Sequence, residues 1–77
     1  MNKFIISFFS HFGAMSYYKI LKEQGINAKL MPVPRKVSSS CGTCVYYENI
    51  DFIDSDTCEL ECIYSVNTDD PVCVLKK

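Results

Sequence analysis

The sequence has no tryptophan, only three glycines, three prolines and one histidine, and a formal charge of just −1. Without a glycine-rich run there is no loop that would cradle phosphates, and the lone His11 completes no Ser-His-Asp set. The weak net charge argues against a nucleic-acid binder, which needs a basic face. No stretch of about 20 apolar residues is present, so we predict that the chain does not span a membrane.

The 77 residues, 48% of them hydrophobic, are enough for a single domain over residues 1–77 with a thin core. Five cysteines are an odd number, which cannot pair completely within one chain. The long ordinary apolar runs also fit a loop-rich disulfide scaffold poorly. We therefore predict a cytoplasmic protein whose thiols are kept for chemistry or for metal.

The first half of the chain has the signals of a strand, a helix and a second strand. Residues 4–9 form an aromatic and β-branched run that predicts a strand buried on both faces. Ser10 can cap a helix over residues 11–24, and Gly25 can end it. Residues 26–33 alternate as a second strand, which two prolines stop. A helix of this length between two strands indicates a βαβ or split βαβ unit.

The second half predicts strands at residues 45–47 and 72–75, with an ambiguous segment between them. Cys58, Leu60, Cys62 and Ile63 could line a short helix or a strand, and we favour the helix. The resulting class is α/β (α+β): a small ferredoxin-like βαββαβ sandwich, one sheet with helices on one face.

Cys41-Gly42-Thr43-Cys44 is a C-x-x-C motif in a polar segment with no evident packing role. Two sulfurs at this spacing can close a disulfide, coordinate a metal, or act as nucleophile and resolving thiol. Arg35 and the lysine after it supply positive charge that would favour a thiolate. Gly42 leaves room for a backbone N–H near the sulfur, and Ser40 with the two serines before it offers hydroxyl donors.

Zinc is an open alternative, because two more cysteines follow with C-x3-C spacing. Four thiolates would stabilise a small core and make the chain a zinc-stabilised protein-interaction module. The metal ligands would then be Cys41, Cys44, Cys58 and Cys62. Cys73 lies between two valines in a predicted strand, and we expect it to be buried. His11 opens the predicted helix, and we expect it to be solvated.

A third alternative is a small thiol-disulfide redox protein using Cys41 and Cys44. In a thioredoxin-like protein, however, the motif follows a strand and opens a helix, whereas here it follows a proline-containing loop.

Four segments of the chain resemble the selenium/sulfur (Se/S) carrier protein-like family, DUF3343. They are the opening strand over residues 4–9, Lys-Ile-Leu-Lys-Glu-Gln-Gly at 19–25, Leu-Met-Pro-Val-Pro-Arg at 30–35, and Val-Ser-Ser-Ser-Cys-Gly-Thr-Cys at 37–44. The resemblance covers about the first 47 residues, and the C-terminal third departs from the pattern.

The resemblance implies a carrier rather than an independent enzyme, with no cofactor, holding a persulfide or selenopersulfide on Cys41. It makes Gly42 the fixed neighbour of that sulfur, places Arg35 in the motif leading to the loop, and makes Cys44 an accessory thiol. The implied partners are a cysteine desulfurase-like donor and a sulfur or selenium acceptor protein. Exposed strand edges in so small a sheet also permit a homodimer.

Overall fold

Five strands form one antiparallel sheet in the computed structural model, which describes residues 2–37, 41–53, 59–67 and 70–76. The strand order is β2-β3-β1-β4-β5. β3 pairs with both β1 and β2 and lies between them, which is the predicted split βαβ arrangement. The predicted ferredoxin-like α+β class is therefore confirmed. The elements are β1 (Asn2–Phe8), α1 (His11–Glu23), β2 (Ala28–Pro32), β3 (Thr43–Asn49), β4 (Leu60–Ser65) and β5 (Val72–Lys76).

β1 is the central strand, and both of its faces are buried as the sequence predicts. Phe4, Ile6 and Phe8 alternate onto the face that α1 covers, where they join the main core. Ile5 and Ser7 point to the opposite face and are also buried. Phe9, which we expected to extend this buried run, lies beyond the strand and is 51% exposed.

Helix α1 begins and ends as its capping residues predict. The Ser10 hydroxyl accepts a hydrogen bond from the Gly13 backbone N–H at 3.1 Å. Gly25 takes a left-handed φ of +75°, which terminates the helix two residues past Glu23. One face of the helix is buried against the sheet, and its core-facing residues are Gly13, Ala14, Tyr17 and Leu21.

The segment after β2 covers the sheet face opposite the helix. Val37 is 5% exposed and packs with Ile5 and Cys44 in a second, smaller core. Its backbone N–H donates to the Pro34 carbonyl oxygen at 3.0 Å, so the chain makes a tight turn there. Asp70, in the β4–β5 connection, forms a 3.0 Å ion pair with the lysine that precedes Val37. Residues 34–37, the described part of the polar segment before the motif, are therefore packed onto the sheet.

The C-terminal third differs from the predicted second helix. Residues Leu60–Ser65 form strand β4, with Ile63 opposite Ile6 and Leu60 opposite Phe8 in the register with β1. Within the described ranges α1 is the one helix, and it is too short to cross a bilayer. Phe52, from the β3–β4 connection, packs edge-on against Phe4 with ring centroids 6.2 Å apart, on the helix side of the sheet.

Two buried tyrosines hold that connection in place. The Tyr17 and Tyr47 hydroxyl oxygens are 3.2 Å apart, and the Tyr17 hydroxyl donates to the Ile53 carbonyl oxygen. The Ile53 N–H donates to the Tyr47 oxygen at 2.9 Å. Burial of the phenol raises the pKa of Tyr47 above its ordinary value, so Tyr47 stays protonated at neutral pH.

We predict that Tyr47→Phe lowers the free energy of unfolding by about 1–2 kcal/mol, because it leaves the Ile53 N–H without its acceptor. Urea denaturation followed by far-UV circular dichroism measures this change. Tyr46→Phe is the matched control, because its hydroxyl bonds at the surface to Glu48 and its loss should change stability by less than about 0.5 kcal/mol. Equal effects of the two changes would contradict the proposed role of Tyr47.

Candidate functional site

Cys41 lies just beyond the end of the sheet, two residues before β3. Its thiol is half-buried and donates a hydrogen bond to the Thr43 carbonyl oxygen at 3.3 Å. The side chain packs against the helix-side core. Gly42 has a φ of +76°, so the chain turns sharply between the cysteine and the strand. Cys41 is thus held by a defined turn and still reaches solvent.

The start of α1 lies beside this turn. His11, the first residue of the helix, has its Nδ1 3.2 Å from the Thr43 Oγ1. Thr43 therefore contacts both the only histidine of the sequence and the Cys41 thiol. His11 is exposed, as we expected, but no sequence pattern indicates its contact with Thr43. The two residues meet because β1 runs antiparallel to β3, so the chain leaves β1 where β3 begins.

Glu59 ties the same helix end to the start of β4. Its carboxylate accepts a hydrogen bond from the Ser10 hydroxyl, and its carbonyl oxygen accepts one from the Phe9 N–H at 2.9 Å. A carboxylate near a helix N-terminus is favourably placed in the helix dipole field. Glu59 has a φ of +53°, a conformation that residues other than glycine seldom adopt. The first turn of α1 is therefore fixed by contacts with Thr43 on one side and with Glu59 on the other.

Cys44 does not share the environment of Cys41. It lies within β3, is fully buried, and points to the face opposite the helix, where it packs with Val37 and Ile5. Its thiol donates to the Pro32 carbonyl oxygen at 3.7 Å. Burial, and to a smaller extent the negative charge that a Cys41 thiolate would carry, raise the pKa of Cys44 to about 11. This environment disfavours the Cys44 thiolate.

Cys62 lies two strands away on the same buried face. Ser7 of β1 pairs with Cys44 on one side and with Cys62 on the other. The Ser7 hydroxyl is buried and has no hydrogen-bond partner among the described residues. Both flanking cysteines are free thiols. Cys44 acts as a small apolar side chain packed with Val37, and Cys62 is buried on the same face.

Among the described residues, the predicted zinc ligands do not come together. Among the described residues, no group of three or more His, Cys, Asp or Glu side chains could hold a metal ion. Cys41, Cys44 and Cys62 belong to this part, whereas Cys58 lies outside it. Zinc binding through all four cysteines stays a prediction. The three predicted ligands that the structure describes do not form part of a metal site among the described residues.

Of the two cations before the motif, the lysine forms an ion pair on the sheet face opposite to the one where Cys41 packs. The Lys36 ammonium pairs with Asp70 at 3.0 Å, across the face opposite the helix, while Cys41 packs on the helix side. Arg35 is exposed. Ser40 lies outside the described residues, so its predicted contact with the sulfur stays a prediction. Cys73, which we expected to be buried, is exposed, because β5 is an edge strand rather than a core strand.

Exposed apolar side chains surround the start of α1. Phe9 and Met15 are each 51% exposed, and Phe12 is 75% exposed. Three large exposed apolar side chains so close together in the sequence are typical of a contact surface for another molecule, and the helix end that carries them also contacts Thr43. A cavity of about 320 Å³, lined at its wall by Gly25 and Glu48, lies at the opposite end of β3 and does not include Cys41.

The two cysteines of the motif should differ strongly in reactivity. At pH 8 the thiolate fraction of Cys44 is roughly one in a thousand, about 100-fold below that of an ordinary thiol. We expect iodoacetamide to modify the native protein at Cys41 and Cys73 well before Cys44, as measured by peptide mapping over time. In urea all three should react alike. Early labelling of native Cys44 would show that its burial is not maintained in solution.

One of three comparisons with known proteins found a match. The model of a family described as "Putative Se/S carrier protein-like" matches residues 3–57, which include β1, α1, β2, the Cys41 turn and β3. A search of curated proteins and a search of solved structures gave no match. The matched segment is more than half of the chain and contains the whole split βαβ unit with its thiol. The chain therefore belongs to the Se/S carrier protein-like family.

Proposed function

We propose that this protein carries a sulfur or selenium atom on Cys41 as a persulfide or selenopersulfide and passes it to a partner enzyme. The observation that carries the proposal is the contrast between the two thiols of the motif. Cys41 is partly exposed at the end of the sheet, and Cys44 is buried with a raised pKa. A carrier needs one such reachable thiol, whereas a dithiol redox pair needs two.

The transfer consists of two displacements at sulfur. The Cys41 thiolate attacks the terminal sulfur of a persulfide on the donor, the donor S–S bond breaks, and the donor leaves as a thiolate. An acceptor nucleophile then attacks the terminal sulfur on Cys41, which leaves as a thiolate in turn. Neither step needs an external oxidant or reductant. A selenopersulfide reacts in the same way, with selenium as the transferred atom.

The donor is a cysteine desulfurase-like enzyme and the acceptor is a sulfur- or selenium-using enzyme, both in a reducing cytoplasm. Because each partner must bring its own reacting atom to Cys41, the surface around the start of α1 must be open to protein contact. The exposed Phe9, Phe12 and Met15 side chains support this placement. Arg35 and Gly42 belong to the segment that would enclose the carried atom.

Cys44 has a packing role in this proposal. Its thiol lies under Val37 on the far side of the sheet, so it would have to leave the second core to reach a persulfide on Cys41. Closure of a Cys41–Cys44 disulfide would therefore disrupt the packing of Val37 against Ile5.

We predict that Cys41→Ser abolishes sulfur loading and Cys44→Ser preserves it. Each protein is incubated with a cysteine desulfurase and isotopically labelled cysteine, and the intact mass is measured without reductant. The unchanged chain and Cys44→Ser should gain the mass of one sulfur atom, which dithiothreitol removes. Cys73→Ser is the matched control, since it also removes an exposed thiol. Loading of Cys41→Ser would overturn the assignment.

We further propose that His11 assists loading by taking up the proton that the Cys41 thiol loses, since both residues contact Thr43. His11→Gln should slow loading from a small-molecule persulfide donor by about tenfold or more, because an assisting base is absent. Lys19→Gln, an exposed change on the same helix, is the control and should load normally. Equal loading rates of the two variants, each with unchanged thermal stability, would rule out this role.

A further inference from the structure

Glu59 has a backbone conformation that its residue type does not favour. Its φ of +53° lies in the left-handed region, where the Cβ of any residue except glycine is crowded. Glycine adopts this conformation without strain, as Gly25 and Gly42 do in the same chain. A residue that stays in such a conformation is held there by its surroundings, and such positions are concentrated at functional sites. The contacts of Glu59 therefore indicate what the strain supports.

Both contacts of Glu59 lead to the N-terminus of α1. Its carbonyl oxygen accepts a hydrogen bond from the Phe9 N–H at 2.9 Å, which joins the residue before β4 to the residue after β1. Its carboxylate accepts a hydrogen bond from the Ser10 hydroxyl. The first contact uses only the backbone, so any residue type makes it. The second contact needs an acceptor on the side chain, which glycine lacks.

The Ser10 hydroxyl joins Glu59 to the helix. The Ser10 oxygen accepts from the Gly13 N–H at 3.1 Å, which caps α1, and the hydroxyl proton is donated to Glu59. A serine hydroxyl has one proton and rotates to suit its partners. The bond to Glu59 fixes the direction of that proton and leaves the oxygen lone pairs for the helix. Glu59 thereby fixes the first turn of α1 at the residue before His11.

The position of His11 depends on that first turn. Its ring Nδ1 is 3.2 Å from the Thr43 Oγ1, and the Thr43 carbonyl oxygen accepts from the Cys41 thiol at 3.3 Å. Because the His11 side chain is exposed, packing contributes little to where its ring lies. The ring is placed by its contact with Thr43 and by the helix start that carries it.

We infer that Glu59 is a positioning residue for the chemistry of Cys41. It acts through Ser10, which sets the start of α1, and so keeps His11 beside Thr43. Its role in sulfur loading rests on the function proposed above and on the part of His11 in it. The bond to Ser10 also accounts for a glutamate at a position where glycine would be unstrained.

Glu59→Gly and Glu59→Gln test this role. Glycine keeps the φ of +53° and the carbonyl contact with Phe9, so the thermal midpoint should stay within about 3 °C of the unchanged chain. It removes the acceptor for Ser10, so loading of Cys41 from a small-molecule persulfide donor should slow about fivefold. Glutamine keeps an acceptor oxygen at the same reach and should load within about twofold of the unchanged chain.

Glu59→Asn is a second variant that keeps the backbone conformation. Asparagine tolerates the left-handed region, but its side chain is one carbon shorter and should not reach Ser10. We expect it to slow loading as glycine does. Glu23→Gln removes an exposed carboxylate at the other end of α1 and is the matched control, which should load normally. Normal loading of both Glu59→Gly and Glu59→Asn would overturn the role of Glu59.

A double variant tests whether Glu59 acts through His11. His11→Gln/Glu59→Gly should load no slower than His11→Gln alone, because the base that Glu59 positions is already absent. Multiplied effects would refute the role, since Glu59 would then act by another route. Iodoacetamide labelling of Cys41 in the same variants, measured by peptide mapping, gives a readout without sulfur transfer. The same rate ratios in labelling, from a chain that takes up no sulfur, would contradict the proposed function and support the role of Glu59.

Discussion

The burial of β1 on both faces is the constraint on which the rest of the structure depends. A strand of alternating large apolar residues needs cover on each side, and the chain provides it with α1 on one face and the segment ending at Val37 on the other. β3 and β4 satisfy the backbone groups of β1 on its two edges. The chain that ends at Val37 is thereby folded against the sheet.

This constraint separates the two thiols of the motif. Because β3 must pair with β1 in the register that buries Val45 and Tyr47 beneath the helix, Cys44 points to the opposite face and meets Ser7. Cys41 then falls beyond the last pair of the ladder, in a turn beside the start of α1. The alternation of side chains along a strand therefore converts an apparent dithiol into one reachable thiol and one packed thiol.

The exposed features of the molecule lie in two regions. The start of α1 presents apolar side chains next to Cys41, which suits transient contact with enzymes that deliver or accept sulfur. The β5 edge lies on the far side of β4 and exposes valines around Cys73.

The sequence by itself determined the features that local interactions control. The apolar run of β1, the Ser10 cap, the Gly25 terminus and the proline-stopped β2 are all signalled within a few residues, and each was predicted with strand ends that differ by one or two residues. The four segments at residues 4–9, 19–25, 30–35 and 37–44 together also indicated the family that the family model confirms.

Only the tertiary structure decided the features that depend on distant residues. The short segment with Leu60 and Ile63 fits a helix or a strand by its spacing, and pairing with β1 decided in favour of the strand. The burial of Cys44, the exposure of Cys73 and the contact of His11 with Thr43 follow from strand order and register. Such long-range pairings are set by which surfaces can be buried together, and no short stretch of sequence contains that information.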